Sequence, residues 1–248
     1  MGRPRSSFGC ETILSTMATR QHRANANAPR AIRTGANKVR YHDASRERRY
    51  PMDQNPNSGA IDEASASPTI DGILAHNRAF VERRAYERYA TDKYPDKKLA
   101  IVSCMDTRLT ELLSAALGLK NGDAKIIKVA GAEVAHPFGS VMRSLLIAVC
   151  ELGVEDIMIV AHTNCGAQHM SGAAMVADME RLGVSQERIE FARHCGIDFD
   201  RWLAGFGDTE EAVRRSVDMV RNHPVMPPHV RVGGYVMDSD TGELTAVR

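Results

Sequence analysis

The run Leu99-Ala100-Ile101-Val102-Ser103 is short and almost wholly apolar, and it predicts a buried β-strand. Two further runs of similar length, at residues 124–129 and 156–161, predict a second and a third strand. Between the strands, apolar residues recur at helical spacing over 109–117 and 141–149. Strands that alternate with helices form βαβ units, and their continuous apolarity is typical of a parallel sheet covered on both faces. The sequence therefore predicts an α/β fold with a mostly parallel central sheet flanked by helices.

The regions on either side of these units extend the pattern. Residues 70–89 predict a helix before the first strand, and helices dominate residues 166–222. Residues 230–237 and 244–247 are separated by turn-forming residues, and they predict a closing strand and a short extension that pairs at the edge of the sheet. Together these elements predict a single domain over residues 69–248.

The first 68 residues have a different composition and lack this periodicity. Residues 1–50 carry eleven Arg or Lys residues against three acidic ones, a composition that predicts a basic, disordered tail. Three interpretations are open: an organelle transit peptide, sequence upstream of a misassigned start (Met52 opens a stretch of different composition), or a tail for an acidic partner. The expected location is the cytoplasm, or a mitochondrion or other organelle if residues 1–51 are a transit peptide.

Composition excludes several classes of protein. The 248 residues contain no apolar run of about 18–20 residues, so an integral membrane protein is not expected. The formal net charge is +1, and beyond the basic tail the chain is mildly acidic, so no nucleic-acid partner is expected for the domain. The five cysteines are odd in number and widely spaced, and no segment resembles a secretory signal. A reducing compartment is therefore expected, in which thiols are metal ligands or core residues.

Residues that can bind a metal follow two of the predicted strands directly. Cys104, Asp106 and Arg108 come after the first strand, and His162 and Cys165 come after the third. Ligands of open α/β sheets bind at the carboxyl ends of the strands, so the two groups face each other if those strands are neighbours. Two thiolates and one imidazole form a ligand set for Zn²⁺, and three protein ligands leave the fourth tetrahedral position for water or substrate. The sequence thus predicts a catalytic zinc site.

Asp106 has two possible roles beside such a site. It can supply a fourth ligand and close the site, or it can be held by Arg108 and accept a hydrogen bond from a metal-bound water. Zn²⁺ with two thiolates and a neutral imidazole has no net charge, so it acidifies its water less than a three-histidine site does. A neighbouring proton acceptor would compensate for this, which is a physical reason to place a carboxylate here.

Two motifs carry a resemblance to a known family: Cys104-x-Asp106-x-Arg108 and His162-x-x-Cys165-Gly166. In this order they resemble the β-class carbonic anhydrases. The resemblance runs from about Ala100 to Gly166 and returns weakly near the C-terminus, so it covers about 150 of the 248 residues.

The resemblance implies a zinc enzyme that reversibly hydrates carbon dioxide to bicarbonate and a proton. Cys104, His162 and Cys165 would hold one Zn²⁺ per chain, and zinc-bound hydroxide would attack carbon dioxide. Asp106, fixed by Arg108, would orient that hydroxide. In addition, Gly166 would allow the backbone to approach the metal and substrate closely and would start a helix. Members of the family are homodimers or multiples of dimers.

Two positions depart from the family's pattern. Val129 precedes Ala130-Gly131, where many members have Asn, and Gly233-Gly234 stands where a His-Gly pair is frequent. Neither position is a predicted ligand, so the departures bear on the substrate pocket or the subunit interface. Three functional interpretations remain open. The chain hydrates carbon dioxide, it hydrolyses a sulfur analogue (carbonyl sulfide or carbon disulfide) at the same site, or it is an inactive zinc-binding homologue whose site Asp106 closes permanently.

Six further histidine and cysteine residues are interpreted as structural or incidental. They are His136 as a turn residue, His169 on the helix expected after Cys165, His194-Cys195 as a pair in local packing, Cys150 as a core residue, and Cys10 in the tail.

Overall fold

The computed structural model of the protein describes residues 67–248, which lie within one compact unit. Its helices and strands, in chain order, are α1 (Pro68–Glu82), β1 (Leu99–Cys104), α2 (Leu109–Ala116), β2 (Ala124–Val129), α3 (Ser140–Cys150), β3 (Asp156–His162), α4 (Gly172–Arg181), α5 (Gln186–His194), α6 (Phe199–Trp202), α7 (Thr209–Arg221), β4 (Arg231–Met237) and β5 (Leu244–Val247). Short 3₁₀ turns cover Glu87–Tyr89 and Ala130–Ala132.

The five strands form one sheet in the order β2-β1-β3-β4-β5. The first four are parallel to one another, and β5 pairs antiparallel with β4 at the edge. The prediction of a mostly parallel sheet with flanking helices and a C-terminal edge strand is therefore confirmed. Because Ser103 of β1 lies opposite Val160 of β3, the carboxyl ends of these two strands are adjacent.

The core is centred on β1. Ala100, Ile101 and Val102 have no exposed surface, as expected for a strand in the middle of a sheet covered on both faces. Helix α7 packs across β3 and β4 and buries a valine stripe against them. A smaller apolar cluster joins α4, α5 and α6 through Val176, Ile189 and Phe199.

The structure differs from the sequence prediction in where two helices lie: α1 ends earlier than predicted, and the helix after Cys165 begins later. The helix predicted over 70–89 ends at Glu82, because Arg84 takes a left-handed conformation with φ of 54° and the chain then makes only a 3₁₀ turn. The helix expected to start at Gly166 begins instead at Gly172, after a series of turns.

The predicted tail lies outside the described residues, except for residues 67 and 68, and so do Met52 and Cys10. Within residues 67–248, no helix is both long enough and apolar enough to cross a membrane.

Candidate metal centre

The carboxyl ends of β1 and β3 bring together the side chains that the two sequence motifs contain. Cys104 is the last residue of β1, and His162 is the last residue of β3. Cys165 follows in a turn in which Asn164 takes a left-handed conformation with φ of 53°. This turn folds Cys165 back toward β1, so that the Sγ atoms of Cys104 and Cys165 are 3.8 Å apart.

Cys104, His162 and Cys165 form a buried cluster whose ligand atoms all lie within 4.8 Å of one another. Nδ1 of His162 is 2.8 Å from the carbonyl oxygen of Thr163, so Nδ1 carries the proton and donates it to that oxygen. When the imidazole is neutral, Nε2 is therefore its acceptor, and Nε2 is buried without a hydrogen-bond partner.

A buried acceptor without a hydrogen-bond partner costs free energy. A histidine that binds a metal through Nε2 has this same tautomer, because a carbonyl oxygen commonly accepts the hydrogen of its Nδ1. The cluster offers two sulfur atoms and one imidazole nitrogen, which is a donor set that suits zinc. The residues present therefore fit a zinc ion.

The two thiols have different tendencies to ionise. Burial opposes ionisation of Cys104, but a protonated His162 side chain and the backbone N–H groups of Asp106 and Gly131 outweigh it and lower the pKa of Cys104 to about 7. Burial raises the pKa of Cys165. A bound cation would supply the positive charge that two neighbouring thiolates need.

Asp106 is paired with Arg108 directly beside this cluster. The guanidinium donates from Nε to Oδ1 at 3.0 Å and from Nη2 to Oδ2 at 2.9 Å, and the backbone N–H of Arg108 donates to Oδ1 at 2.9 Å. These hydrogen bonds from Arg108 hold the pKa of Asp106 well below its usual range. The carboxylate is therefore ionised at neutral pH, and its Oδ2 lies 3.8 Å from Nε2 of His162.

Arg108 is held by two further loops, whose residues the sequence prediction missed. Its Nη2 donates to the carbonyl oxygen of Asn164 at 2.9 Å, and its Nη1 donates to Oγ of Ser239 at 3.2 Å. Ser239 follows β4, the next parallel strand, so its place at the same edge of the sheet was the available indication. Lys128, near the end of β2, is also close: its Nζ donates to the carbonyl oxygen of Leu109 at 3.0 Å, next to Arg108.

Gly131 also supports the site, and the sequence prediction gave it no role. It has a left-handed φ of 64°, and a Cβ there would lie 2.9 Å from Cε1 of Phe206. Gly166, in contrast, has an ordinary φ, and a Cβ there would meet no atom within 4 Å. The structure thus gives no steric reason for glycine at position 166, and a role for Gly166 in substrate binding stays a prediction.

The remaining predicted residues lie outside the cluster. His136 is exposed and accepts a hydrogen bond from the N–H of Phe138 at 3.0 Å, as a turn residue would. Cys150 is exposed, so its assignment to the core is wrong: α3 buries Met142, Leu145, Ala148 and Val149, and its last residue points away from that face. Finally, His194 and Cys195 are exposed at the end of α5, and His169 is outside the ligand cluster.

Comparison with known proteins gives consistent matches. The family model described as "Carbonic anhydrase" matches residues 99–244, which include every residue of the cluster. The Bacillus subtilis (strain 168) protein named "Putative carbonic anhydrase YtiB" is 48% identical over 178 residues, covering 72% of this chain and 95% of the relative. A "Carbon disulfide hydrolase" of Acidithiobacillus thiooxidans is 29% identical over 158 residues, covering 60% of this chain and 76% of the relative.

Among solved structures, the crystal structure of β-carbonic anhydrase isoform I from Trichomonas vaginalis is similar to this chain. The two are 34% identical with a TM-score of 0.67, and the alignment covers 73% of this chain and 98% of that chain.

Proposed function

The chain belongs to the β class of the carbonic anhydrase family, and we propose that it catalyses the reversible hydration of carbon dioxide. The products are bicarbonate and a proton, and the reaction would take place at a zinc ion held by Cys104, His162 and Cys165. The observation that carries the proposal is the convergence of these three buried ligands, with Nε2 of His162 unpartnered and aimed into their cluster. When bound, zinc lowers the pKa of a coordinated water, which makes hydroxide available near neutral pH.

Asp106 and Arg108 have separate tasks in this proposal. Arg108 keeps the Asp106 carboxylate ionised through two parallel hydrogen bonds, so Asp106 acts as a hydrogen-bond acceptor throughout the neutral range. Its Oδ2 faces the ligand cluster, where it can accept the hydrogen of the attacking oxygen and direct the lone pair at the carbon of carbon dioxide. The proton released by hydration then passes to buffer.

The pairing of Asp106 with Arg108 also favours an open site over a permanently closed one. A carboxylate that closed the site would exchange hydrogen bonds with Arg108 for the metal, and in the arrangement described here both side-chain bonds are formed. A zinc ion held by the three other residues would then keep its fourth position for water or substrate.

Hydrolysis of carbon disulfide is the second candidate, because a carbon disulfide hydrolase is among the relatives. We rank it below carbon dioxide hydration, since the relative named as a carbonic anhydrase is 48% identical, against 29% for the hydrolase.

We also propose that the chain is a homodimer or a multiple of dimers in the cytoplasm, with an organelle as the alternative if residues 1–51 direct the chain there. Helix α1 supports the dimer, because within the described residues 67–248 it buries none of its side chains and exposes Ile70, Ile73, Leu74 and Val81. Light scattering of the purified protein tests this proposal, and a mass of about one chain would contradict it.

Stopped-flow hydration of carbon dioxide from about pH 6.5 to pH 9, with zinc measured in the same preparation, tests the proposed activity. The expected result is hydration that rises with pH at about one zinc per chain. Cys165→Ser should lose both zinc and hydration, whereas Cys150→Ser, at an exposed thiol outside the cluster, should keep both. A zinc-loaded protein without hydration would refute the proposal, and turnover of carbon disulfide would then decide for the second candidate.

A further inference from the structure

The turn that follows β4 enters the site through Ser239. This serine is 5% exposed, although it lies on a loop. Its Oγ accepts a hydrogen bond from Nη1 of Arg108 at 3.2 Å and lies 3.2 Å from Oγ1 of Thr163. The backbone N–H of Ser239 donates to the same Thr163 Oγ1 at 3.0 Å. The hydroxyl of Ser239 is thus placed between Arg108 and the loop that joins two of the proposed ligands, His162 and Cys165.

The turn itself is held in one conformation. Oδ1 of Asp238 accepts hydrogen bonds from the N–H groups of Asp240 and Thr241 and from the Thr241 hydroxyl, at 2.7–3.0 Å. Gly242 closes the turn with a left-handed φ of 77°, and a Cβ there would lie 2.9 Å from Cβ of Ala116 on α2. A turn fixed in this way can hold the Ser239 hydroxyl at a defined position.

Arg108 needs such an anchor, because its side chain is 40% exposed. Its contacts with Asp106 lie on its own loop, only two residues away, so by themselves they do not tie the pair to the loops after β3 and β4, the first of which holds Cys165. The bonds to Asn164 and Ser239 come from the loops after β3 and β4 and supply that reference. Ser239 is the one of these two whose side chain makes the contact, so substitution can remove it selectively.

We propose that Ser239 is a positioning residue for the reaction: through Arg108 it fixes the Asp106 carboxylate in front of the ligand cluster and so sets the turnover rate. This inference rests on the proposed function. It predicts that loss of the Ser239 hydroxyl affects kcat and leaves zinc binding intact, because Ser239 touches none of the three proposed ligands.

A merely structural role makes a different prediction, and Ser216 is the matched control. Ser216 is also a buried serine, 3% exposed, and its Oγ accepts one hydrogen bond, from the N–H of Val134 at 3.1 Å. Ser239→Ala and Ser216→Ala therefore remove the same atom from similarly buried places. If Ser239 only stabilises the fold, the two variants behave alike.

The experiment compares Ser239→Ala, Ser239→Thr and Ser216→Ala with the wild type, measuring kcat and KM for carbon dioxide, zinc content and Tm. We expect kcat of Ser239→Ala to fall about five- to tenfold, as for the loss of one hydrogen bond of ordinary strength, with KM and zinc within about twofold. Ser239→Thr keeps the hydroxyl and should recover most of kcat. Ser216→Ala should lower Tm comparably and leave kcat within about twofold of the wild type.

A second readout does not depend on activity or on bound zinc. Hydrogen exchange of the Arg108 Nε–H, followed by NMR and assigned with Arg108→Lys, should become at least about threefold faster in Ser239→Ala and stay unchanged in Ser216→Ala. The inference would be overturned if the exchange rate of the Arg108 Nε–H were the same in Ser239→Ala and the wild type. It would also be overturned if the wild type were active and Ser239→Ala had the same kcat. A wild type that does not hydrate carbon dioxide would instead refute the proposed function, and the exchange measurement would still decide whether Ser239 holds Arg108.

Discussion

Replacing Gly234 by Ala tests how tightly α7 and β4 are packed. Gly234 is an interior residue of β4, and a Cβ there would lie 2.5 Å from Cγ1 of Val213 and 3.0 Å from Cγ2 of Val217. Both valines are buried on α7, at 2% and 7% exposure, and β-branched side chains on a helix have essentially one χ1 rotamer. The strand cannot yield easily either, because it is hydrogen-bonded to β3 on one side and to β5 on the other. The methyl group therefore forces the helix away from the sheet.

The expected cost follows from two opposing effects. Overpacking a buried site by one methyl group costs about 1–3 kcal/mol. The φ of Gly234 lies outside the left-handed range, so alanine also recovers about 0.5–1 kcal/mol of conformational entropy that glycine loses on folding. Taking the middle of each range, about 2 kcal/mol against about 0.75 kcal/mol, the net destabilisation is about 1–1.5 kcal/mol. For a folded unit of this size, each kcal/mol lowers Tm by about 2–4 °C, so Gly234→Ala should melt about 2–6 °C below the wild type.

Thermal unfolding by circular dichroism measures this difference, and Gly72→Ala is the control. Gly72 lies in α1, where a Cβ would meet no atom within 4 Å, so the same substitution should leave Tm unchanged or raise it slightly. The double variant Val213→Ala/Gly234→Ala should lose at least about 0.5 kcal/mol less stability than the sum of the losses of the two single variants, because the smaller side chain at 213 makes room for the added methyl group. A Gly234→Ala protein that melts at or above the wild-type temperature would refute the packing argument.

Three further predictions concern the site and one surface ion pair. His162→Ala should lower the zinc content, measured by mass spectrometry, to below about a tenth of one ion per chain, since one of three ligands is lost. Asp106→Asn should keep zinc and lower kcat about 100-fold or more, because the amide is neutral and has one acceptor oxygen where the carboxylate has two, so it cannot serve both Arg108 and the attacking oxygen; equal turnover would contradict the proposed role. Asp156 accepts two hydrogen bonds from Arg231 at 2.6 Å, and these lower the pKa of Asp156 below its ordinary value of 3.8. The ion pair therefore stabilises the fold above pH 3.8, and this stabilisation is lost as the pH falls through the lowered pKa of Asp156. Asp156→Asn should thus lower Tm by about 1–3 °C at pH 7, and the difference from the wild type should shrink as the pH falls through the depressed pKa of Asp156.

The central sheet could be predicted from the sequence because each parallel strand is a continuous apolar run between helical segments. The same pattern put Cys104 and His162 at strand ends, which the structure bears out to within one residue. Helix limits were less predictable: nothing in the periodicity of residues 70–89 indicates that Arg84 takes a left-handed conformation. Exposure of Cys150 was also hidden, because a helix segment as apolar as α3 does not reveal which side faces solvent.

The contacts that hold Arg108 lay beyond sequence reasoning for a different reason. Ser239 is 131 positions away from Arg108 along the chain, and the carbonyl oxygen of Asn164 carries no residue-specific information. Both contacts depend on the order of the strands and on the exact turn after each one. The two motifs therefore indicate which residues form the site. The contacts that hold Arg108 can be identified only when the pairing of β4 with β3 is known.

The charges of the site explain why so many ionisable groups are tolerated at the edge of an apolar core. Two thiolates and a neutral imidazole would cancel the charge of a divalent cation, and Asp106 and Arg108 cancel each other. Each half would thus be neutral by itself, and the hydrogen bonds from Arg108 hold the pKa of Asp106 well below its usual range. In the proposed mechanism, Asp106 remains a hydrogen-bond acceptor rather than a ligand as long as Arg108 stays in place. The contacts of Arg108 with the loops after β3 and β4 would therefore help to keep the proposed site open.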